Sequence, residues 1–210
     1  MSGFEIKNLA NPLYFEENVL PPHSDHKYYG SEAELASGCS SFKYSLNGLW
    51  HIHVARNLAE RPEGFEGSDY DCRHWDTIAV PAHIQMEGYG KPHYTNTTYP
   101  WDGHEAIAPG ELPQENTVAS YVKYFAVPEG WQDVRISFQG AETALAVWLN
   151  GHFVGYSEDS FTPSDFDLTP YVQTGENKLA VQVFRFASGS WLEDQDFWRF
   201  SGLFRGVYLY

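Results

Sequence analysis

The chain alternates apolar and polar positions over many short stretches. Trp50, Ile52 and Val54 alternate with the residues between them, which is the period-two pattern of a half-buried β-strand. Similar runs occupy residues 75–80, 121–127, 134–139, 144–149, 152–156, 178–186 and 204–209. Helical periodicity is nearly absent, and only 31–36 is compatible with a single helical turn. The pattern therefore predicts an all-β fold, namely an antiparallel β-sandwich or jelly roll.

Turn residues divide the chain into a long arm and one domain. Asn150-Gly151 lies between two strand runs and is a strong type I′ hairpin signal. The first 45 residues contain Asn-Pro, Pro-Pro and few alternating runs, which is typical of an irregular, extended segment. We therefore predict an extended arm over residues 1–45, packed on a jelly-roll domain over residues 46–210.

Composition narrows the range of partners. Lys plus Arg is 13 and Asp plus Glu is 28, which gives a formal net charge of −15. A surface this acidic repels phosphate groups, so we expect neither nucleic acid nor membrane as a partner, whereas a neutral sugar is not repelled. Aromatic residues make up 17% of the chain, and they suit both sheet cores and sugar stacking.

The compartment is predicted from three features. No apolar run reaches transmembrane length, the first residues lack the apolar core of a signal peptide, and the chain has two cysteines, Cys39 and Cys72. The cysteines have no metal-binding spacing, and we interpret them as two free thiols, with a single disulfide left open. We therefore expect a cytoplasmic protein.

The stretch 192–202 is acidic. Glu193, Asp194 and Asp196 place three carboxylates within four residues, and such a cluster needs a cation, a metal ion or water to offset its repulsion. One interpretation is an exposed acidic turn with Arg199 and Arg205 as partners. The other is that Asp196 accepts hydrogen bonds from sugar hydroxyls or ligates a hard cation.

A catalytic pair within this stretch is disfavoured. Side chains two residues apart on one strand approach a sugar from one side only, whereas retaining glycosidases place their carboxyl groups on opposite sides of the scissile bond.

The stretch 93–103 offers amide and hydroxyl groups beside aromatic rings. Asn96 and Thr97 lie near Tyr99 and Trp101, and an amide can donate to and accept from a sugar hydroxyl at once. The alternative is a turn whose Asn and Thr side chains hydrogen-bond to their own backbone. Spacing alone favours the turn.

Several motifs resemble one enzyme family. They are LNGLWHIHV (46–54), VPAHIQMEGYGKPHYTNTTYP (80–100), the run 147–186, and WLEDQDFWRFSGLFRGVYL (191–209). Together they are similar to the amino-terminal, galactose-binding-like domain of the large β-galactosidases of glycoside hydrolase family 2. The resemblance covers most of the chain, and the last motif is the most specific.

The resemblance implies a role for two residues. Asn96 matches the asparagine that contacts the galactosyl unit, and Asp196 matches the aspartate that bonds a galactosyl hydroxyl and helps to ligate sodium. Thr97 and Trp101 depart from the family's usual residues. The catalytic glutamates and the magnesium site would belong to a (β/α)₈ barrel. The chain would then be a piece of a longer enzyme, and the immunoglobulin-like and barrel domains of that enzyme would lie outside it.

The function implied is that of a non-catalytic sugar-binding domain. The parent enzyme would hydrolyse terminal β-D-galactosyl residues, as in lactose, with retention of configuration, and would be a homo-oligomer. Two alternatives remain at this stage: a stand-alone carbohydrate-binding module, and a purely structural domain that braces the rest of its own chain.

Overall fold

The structure is a computed structural model that describes residues 3–23, 27–193 and 196–210. The strands in these residues are β1 (Glu16–Glu17), β2 (Tyr44–Ser45), β3 (Gly48–Ala55), β4 (Asp76–Val80), β5 (His93–Thr95), β6 (Val118–Ala126), β7 (Arg135–Phe138), β8 (Ala144–Leu149), β9 (His152–Ser157), β10 (Ser164–Asp167), β11 (Glu176–Phe184), β12 (Phe197–Arg199) and β13 (Val207–Leu209). The helices are α1 (Glu32–Ser37) and the 3₁₀ turns Ile6–Ala10, Ile84–Glu87 and Ser188–Trp191.

Two antiparallel sheets form the body of the molecule. The larger has seven strands in the order β1-β9-β8-β11-β6-β3-β4, and the smaller has four in the order β10-β7-β13-β2. Strands β5 and β12 pair with each other in a separate two-stranded ribbon. The predicted antiparallel β-sandwich is confirmed.

The main core lies between the two sheets. Alternate residues of the central strands point into it, among them Leu145, Val147 and Leu149 of β8, and they meet Ile136 and Phe138 of the smaller sheet. This packing removes apolar side chains of both sheets from water, and such burial is the main source of stability of a β-sandwich.

A second core covers the outer face of the larger sheet. It contains Ala146 and Trp148 of β8, Phe65 and Cys72 from the loop between β3 and β4, and Leu9 from the first 3₁₀ turn. Every residue of β8 is therefore buried, although the sequence pattern predicts strands with only one buried face. The difference arises because the arm and a long loop pack on the face that was expected to meet water.

The first 45 residues contribute to both sheets. Within them, β1 pairs with β9 and β2 pairs with β13, as two-residue strands. The predicted helical turn is present as α1, which Ser31 caps by accepting a hydrogen bond from the Glu34 N–H (3.2 Å). The boundary at residue 45 stays a prediction.

The hairpin between β8 and β9 follows the sequence signal. Asn150 has φ 52° and Gly151 has φ 83°, which is the pair of positive angles that a type I′ turn requires. The Asn150 side chain also bonds Asn177 and the Lys178 N–H, each at 2.9 Å, so it ties the hairpin to β11.

Two further features concern the cysteines and the membrane. Cys39 is an exposed free thiol and Cys72 is a buried one. In the described part of the chain, no helix is both long and apolar enough to cross a membrane.

Candidate functional site

The ribbon of β5 and β12 brings the two predicted sugar-binding residues together. Its register pairs Arg199 with His93 and Phe197 with Thr95. The next residues beyond the Phe197–Thr95 pair are Asp196 and Asn96, which therefore lie at the same end of the ribbon. We call this end, formed by Asn96 and Asp196, the rim. Both rim residues are exposed.

Asp196 is surrounded by aromatic side chains that solvent can reach. The Tyr94 hydroxyl donates a hydrogen bond to Asp196 Oδ1 across the ribbon, and this bond raises the pKa of Tyr94. The Trp198 ring lies 5.5 Å from that of Tyr94, and the Trp198 side chain is 52% exposed. A carboxylate beside exposed aromatic rings can accept a hydrogen bond from a sugar hydroxyl while a ring packs against a sugar face.

Two of the other candidate groups near Asn96 are buried. Thr97 is exposed, but Thr95 is buried. Trp101 is only 4% exposed, because its ring stacks on Tyr99 at 5.1 Å and meets Trp191 at 4.7 Å. Trp101 therefore acts as a packing residue that supports the loop, and not as a surface group of the rim.

The acidic stretch divides into different environments. Asp196 is exposed, Glu193 is half-buried, and Asp194 lies outside the described residues. Burial raises the pKa of Glu193 to about 7, against the lowering effect of the Arg199 guanidinium. Arg205, the other suggested partner, donates instead to the Phe161 carbonyl at 2.6 Å. Glu193 and Arg205 thus depart from the interpretation of an exposed acidic turn with both arginines as partners, whereas the exposure of Asp196 agrees with it, and as a whole it stays a prediction.

A second carboxylate, Glu142, lies in the same charged cluster. Burial, and then repulsion by Glu193, raise the pKa of Glu142 to about 7. Raised pKa values often mark acid–base catalysts. Glu142 is only 5% exposed, however, so a substrate cannot reach it. We interpret the cluster as support for the ribbon.

A cavity of about 400 Å³ lies beside Glu193, and Glu158 and Trp191 are among its lining residues. The Glu158 carboxylate already accepts hydrogen bonds from the Tyr156 hydroxyl (2.6 Å), the Ser188 hydroxyl (2.9 Å) and the Gly189 N–H (2.8 Å). Its oxygens are thus occupied by hydrogen bonds within the domain, and Glu158 holds the segment that leads toward β12.

The resemblance implies a sodium ion and a magnesium ion, and the side chains of the site suit them to different degrees. Sodium accepts oxygen ligands, and the exposed Asp196 carboxylate fits as one of them. Within residues 3–23, 27–193 and 196–210, however, no group of three or more His, Cys, Asp or Glu side chains could hold a metal ion. The described residues therefore fit one ligand of a sodium site, and they do not fit a magnesium site.

A comparison with protein families shows which family the chain belongs to. Residues 43–210 match the profile described as "Glycosyl hydrolases family 2, sugar binding domain". The chain belongs to glycoside hydrolase family 2. This family 2 domain is 58% identical over 200 residues to a β-galactosidase of Halalkalibacterium halodurans, with 93% of this chain and 20% of that protein covered. It is 49% identical over 214 residues to the β-galactosidase large subunit of Leuconostoc lactis, covering 95% of this chain and 34% of that one.

The family 2 domain thus spans a fifth to a third of these relatives. Among solved structures, it is similar to a β-glucuronidase of Bacteroides uniformis with a TM-score of 0.59 at 21% identity, covering 80% of this chain and 17% of that chain. A β-glycosidase of Bacteroides vulgatus gives a TM-score of 0.56 at 26% identity, covering 80% and 20%. The first likeness bears on the fold alone.

Sequence reasoning missed three residues around the ribbon. Tyr94, Glu142 and Arg185 contact or support the ribbon, but their partners lie far away along the chain or on other elements, and no local spacing connects them.

Proposed function

We propose that the chain is the non-catalytic sugar-binding domain of a β-galactosidase, and that its rim positions the non-reducing sugar. The domain's family and its similarity to β-galactosidases support the substrate class. The observation that carries the positioning role is the register of the ribbon, which puts Asn96 and Asp196 at one exposed end.

The rim offers the hydrogen bonds that a galactosyl unit needs. An ionised Asp196 accepts bonds from hydroxyls, and the Asn96 amide both donates and accepts. Such contacts hold the sugar in the orientation required for attack, and any that strengthen as charge develops in the transition state also raise kcat. The two carboxylates that break the glycosidic bond would lie in another part of the enzyme.

The proposal also includes a sodium ion bound beside the rim. Asp196 would provide one oxygen ligand, and the remaining ligands would come from other parts of the enzyme. When bound, the cation would supply positive charge that orients sugar oxygens. Magnesium would be held entirely elsewhere. Lactose as substrate, a homo-oligomeric parent and a cytoplasmic location are parts of the same proposal.

Kinetics of the full-length enzyme with lactose test the role of the rim. Asp196→Asn should lower kcat/KM roughly 10- to 100-fold, since it removes the negative charge that strengthens the hydrogen bond from the sugar hydroxyl and attracts the cation. The matched control is Asp133→Asn, which changes another exposed aspartate, and it should leave kcat/KM unchanged. Equal kinetics for Asp196→Asn and wild type would exclude Asp196 from the site. Hydrolysis of lactose by the 210-residue chain alone would contradict the non-catalytic role.

A further inference from the structure

The end of the ribbon opposite to the rim is held by a charged side chain of the sandwich. Arg185, one residue beyond β11, donates from Nη2 to the carbonyl oxygens of Arg199 (3.3 Å) and Lys91 (3.5 Å). Arg199 ends β12, and Lys91 lies two residues before β5. One guanidinium therefore contacts both sides of the ribbon. We call this end, formed by Lys91, Arg199 and Phe200, the base.

Glu142 lies beside the base. Its backbone exchanges two hydrogen bonds with Gly202, at 3.1 and 3.0 Å, which brings Glu142 beside the chain just after β12. Its carboxyl is buried there.

Arg185 acts on one peptide group of the ribbon. The carbonyl of Arg199 and the N–H of Phe200 belong to the same planar unit. Arg185 places positive charge at the oxygen end of its dipole. This interaction favours one orientation of the peptide plane, and charge-assisted hydrogen bonds are stronger than neutral ones.

The orientation of the base matters because the ribbon is short. A two-stranded ribbon of three residue pairs is marginally stable on its own. Asp196 lies three residues from Arg199, about 10 Å along an extended strand. A rotation of about 6° at the base therefore displaces Asp196 by about 1 Å, and a displacement of about 1 Å in an active site can cost about 100-fold in rate.

We propose that Arg185 is a positioning residue for the rim, which fixes the angle at which β12 presents Asp196 to the sugar. The inference rests on the proposed function, since it concerns the same site. Arg185 does not touch the sugar; it acts through Asp196.

The base has other contacts that preserve the fold when Arg185 is replaced. The Gln85 side chain accepts from the Ser201 N–H (3.0 Å) and donates to the Ser201 hydroxyl (2.8 Å). These bonds hold the chain beyond β12 in place but do not orient the peptide between Arg199 and Phe200. Variants of Arg185 are therefore expected to fold.

A double-mutant cycle in the full-length enzyme tests the inference. Arg185→Met should lower kcat/KM for lactose roughly 10-fold when Asp196 is present. In the Asp196→Asn background the same change should have little further effect, because the group that it positions is already lost.

Matched controls come from an exposed pair. Arg73 and Glu176 form a surface ion pair, and Arg73→Met and Glu176→Gln should not change kcat/KM. If Arg185→Met does not fold, Arg185→Lys carries the test, since one ammonium cannot reach both carbonyls as the guanidinium does and an intermediate loss is expected.

The outcomes separate the two proposals. Equal losses from Arg185→Met in both backgrounds, or no loss with Asp196 present, would overturn the positioning role while leaving Asp196 in the site. An Asp196→Asn enzyme with wild-type kinetics would overturn the proposed function, and the positioning role with it.

Discussion

The hydroxyl of Tyr94 donates to the carboxylate of Asp196 across the β5–β12 ribbon. The bond links the two strands beside the rim, and it restrains the Asp196 side chain before any sugar is bound. An exposed carboxylate without such a partner would populate several rotamers, and binding would have to select one of them.

Replacing Tyr94 by Phe tests this restraint. The change keeps the aromatic ring but removes the donor, so we expect kcat/KM of the full-length enzyme for lactose to fall roughly 2- to 10-fold, in proportion to one ordinary hydrogen bond. Tyr28→Phe, at another exposed tyrosine, is the control and should have no effect. A Tyr94→Phe enzyme indistinguishable from wild type would mean that the bond does not position Asp196.

Lys178 stabilises the loop that covers the second core. Its buried ammonium donates to the carbonyls of Phe65, Gly67 and Tyr70, at 2.6, 2.7 and 2.6 Å. Lys178→Met removes all three donors, so the free energy of unfolding should fall by about 2–4 kcal/mol. Urea denaturation measures this change.

Lys123 provides the comparison for that experiment. Among the residues that the structure describes, its ammonium donates to one carbonyl, that of Leu49, at 2.8 Å. Lys123→Met should therefore cost clearly less than Lys178→Met, by about 1 kcal/mol or below. Equal losses in the free energy of unfolding for the two variants would show that the three hydrogen bonds of Lys178 do not stabilise the loop more than a single one does.

The charged cluster predicts a pH dependence of stability. Burial raises the pKa of Glu142 from 4.5 to about 7, with Glu193 adding to the shift and Arg199 and Arg185 opposing it. The folded-state pKa exceeds the unfolded value, so the stabilising effect of proton uptake is fully present below pH 4.5 and is lost as the pH rises through 7. The free energy of unfolding of wild type, relative to Glu142→Gln, should fall by about 1–3 kcal/mol between about pH 5 and pH 8.

Urea denaturation of both proteins at several pH values checks this sign. Glu176→Gln changes an exposed glutamate, and its difference from wild type should not vary over the same pH range. A wild-type advantage that grows with pH would contradict the assignment, because it would mean that Glu142 is stabilised in its ionised form.

The sandwich was predictable because its signals are local. The alternation around Trp50 and the Asn150-Gly151 turn are each properties of a few neighbouring residues, and the structure has a strand and a type I′ turn at those positions. Burial of both faces of β8 was not predictable, since it depends on Leu9 and Phe65, which pack on it from distant parts of the chain.

The ribbon shows where local reasoning ends. β5 and β12 have three residues each and lie within segments that lack a sustained strand pattern, so the pattern predicts loops there. Their pairing joins positions about a hundred residues apart, such as Thr95 and Phe197, which no local periodicity reveals. The resemblance to family 2 identified Asn96 and Asp196, whereas the contacts of Arg185 with the base emerged only from the structure.

The most direct test of the rim combines a change in the substrate with a change in the enzyme, as in a double-mutant cycle. A β-galactoside and its monodeoxy analogues, each lacking one sugar hydroxyl, are compared on the full-length wild-type enzyme and on Asp196→Asn by their kcat/KM values. If Asp196 accepts a hydrogen bond from the galactosyl unit, removal of one particular hydroxyl should cost the wild type roughly 10- to 100-fold and the variant little. If every analogue loses the same factor on both enzymes, Asp196 does not contact the sugar, and the proposed role of the rim is wrong.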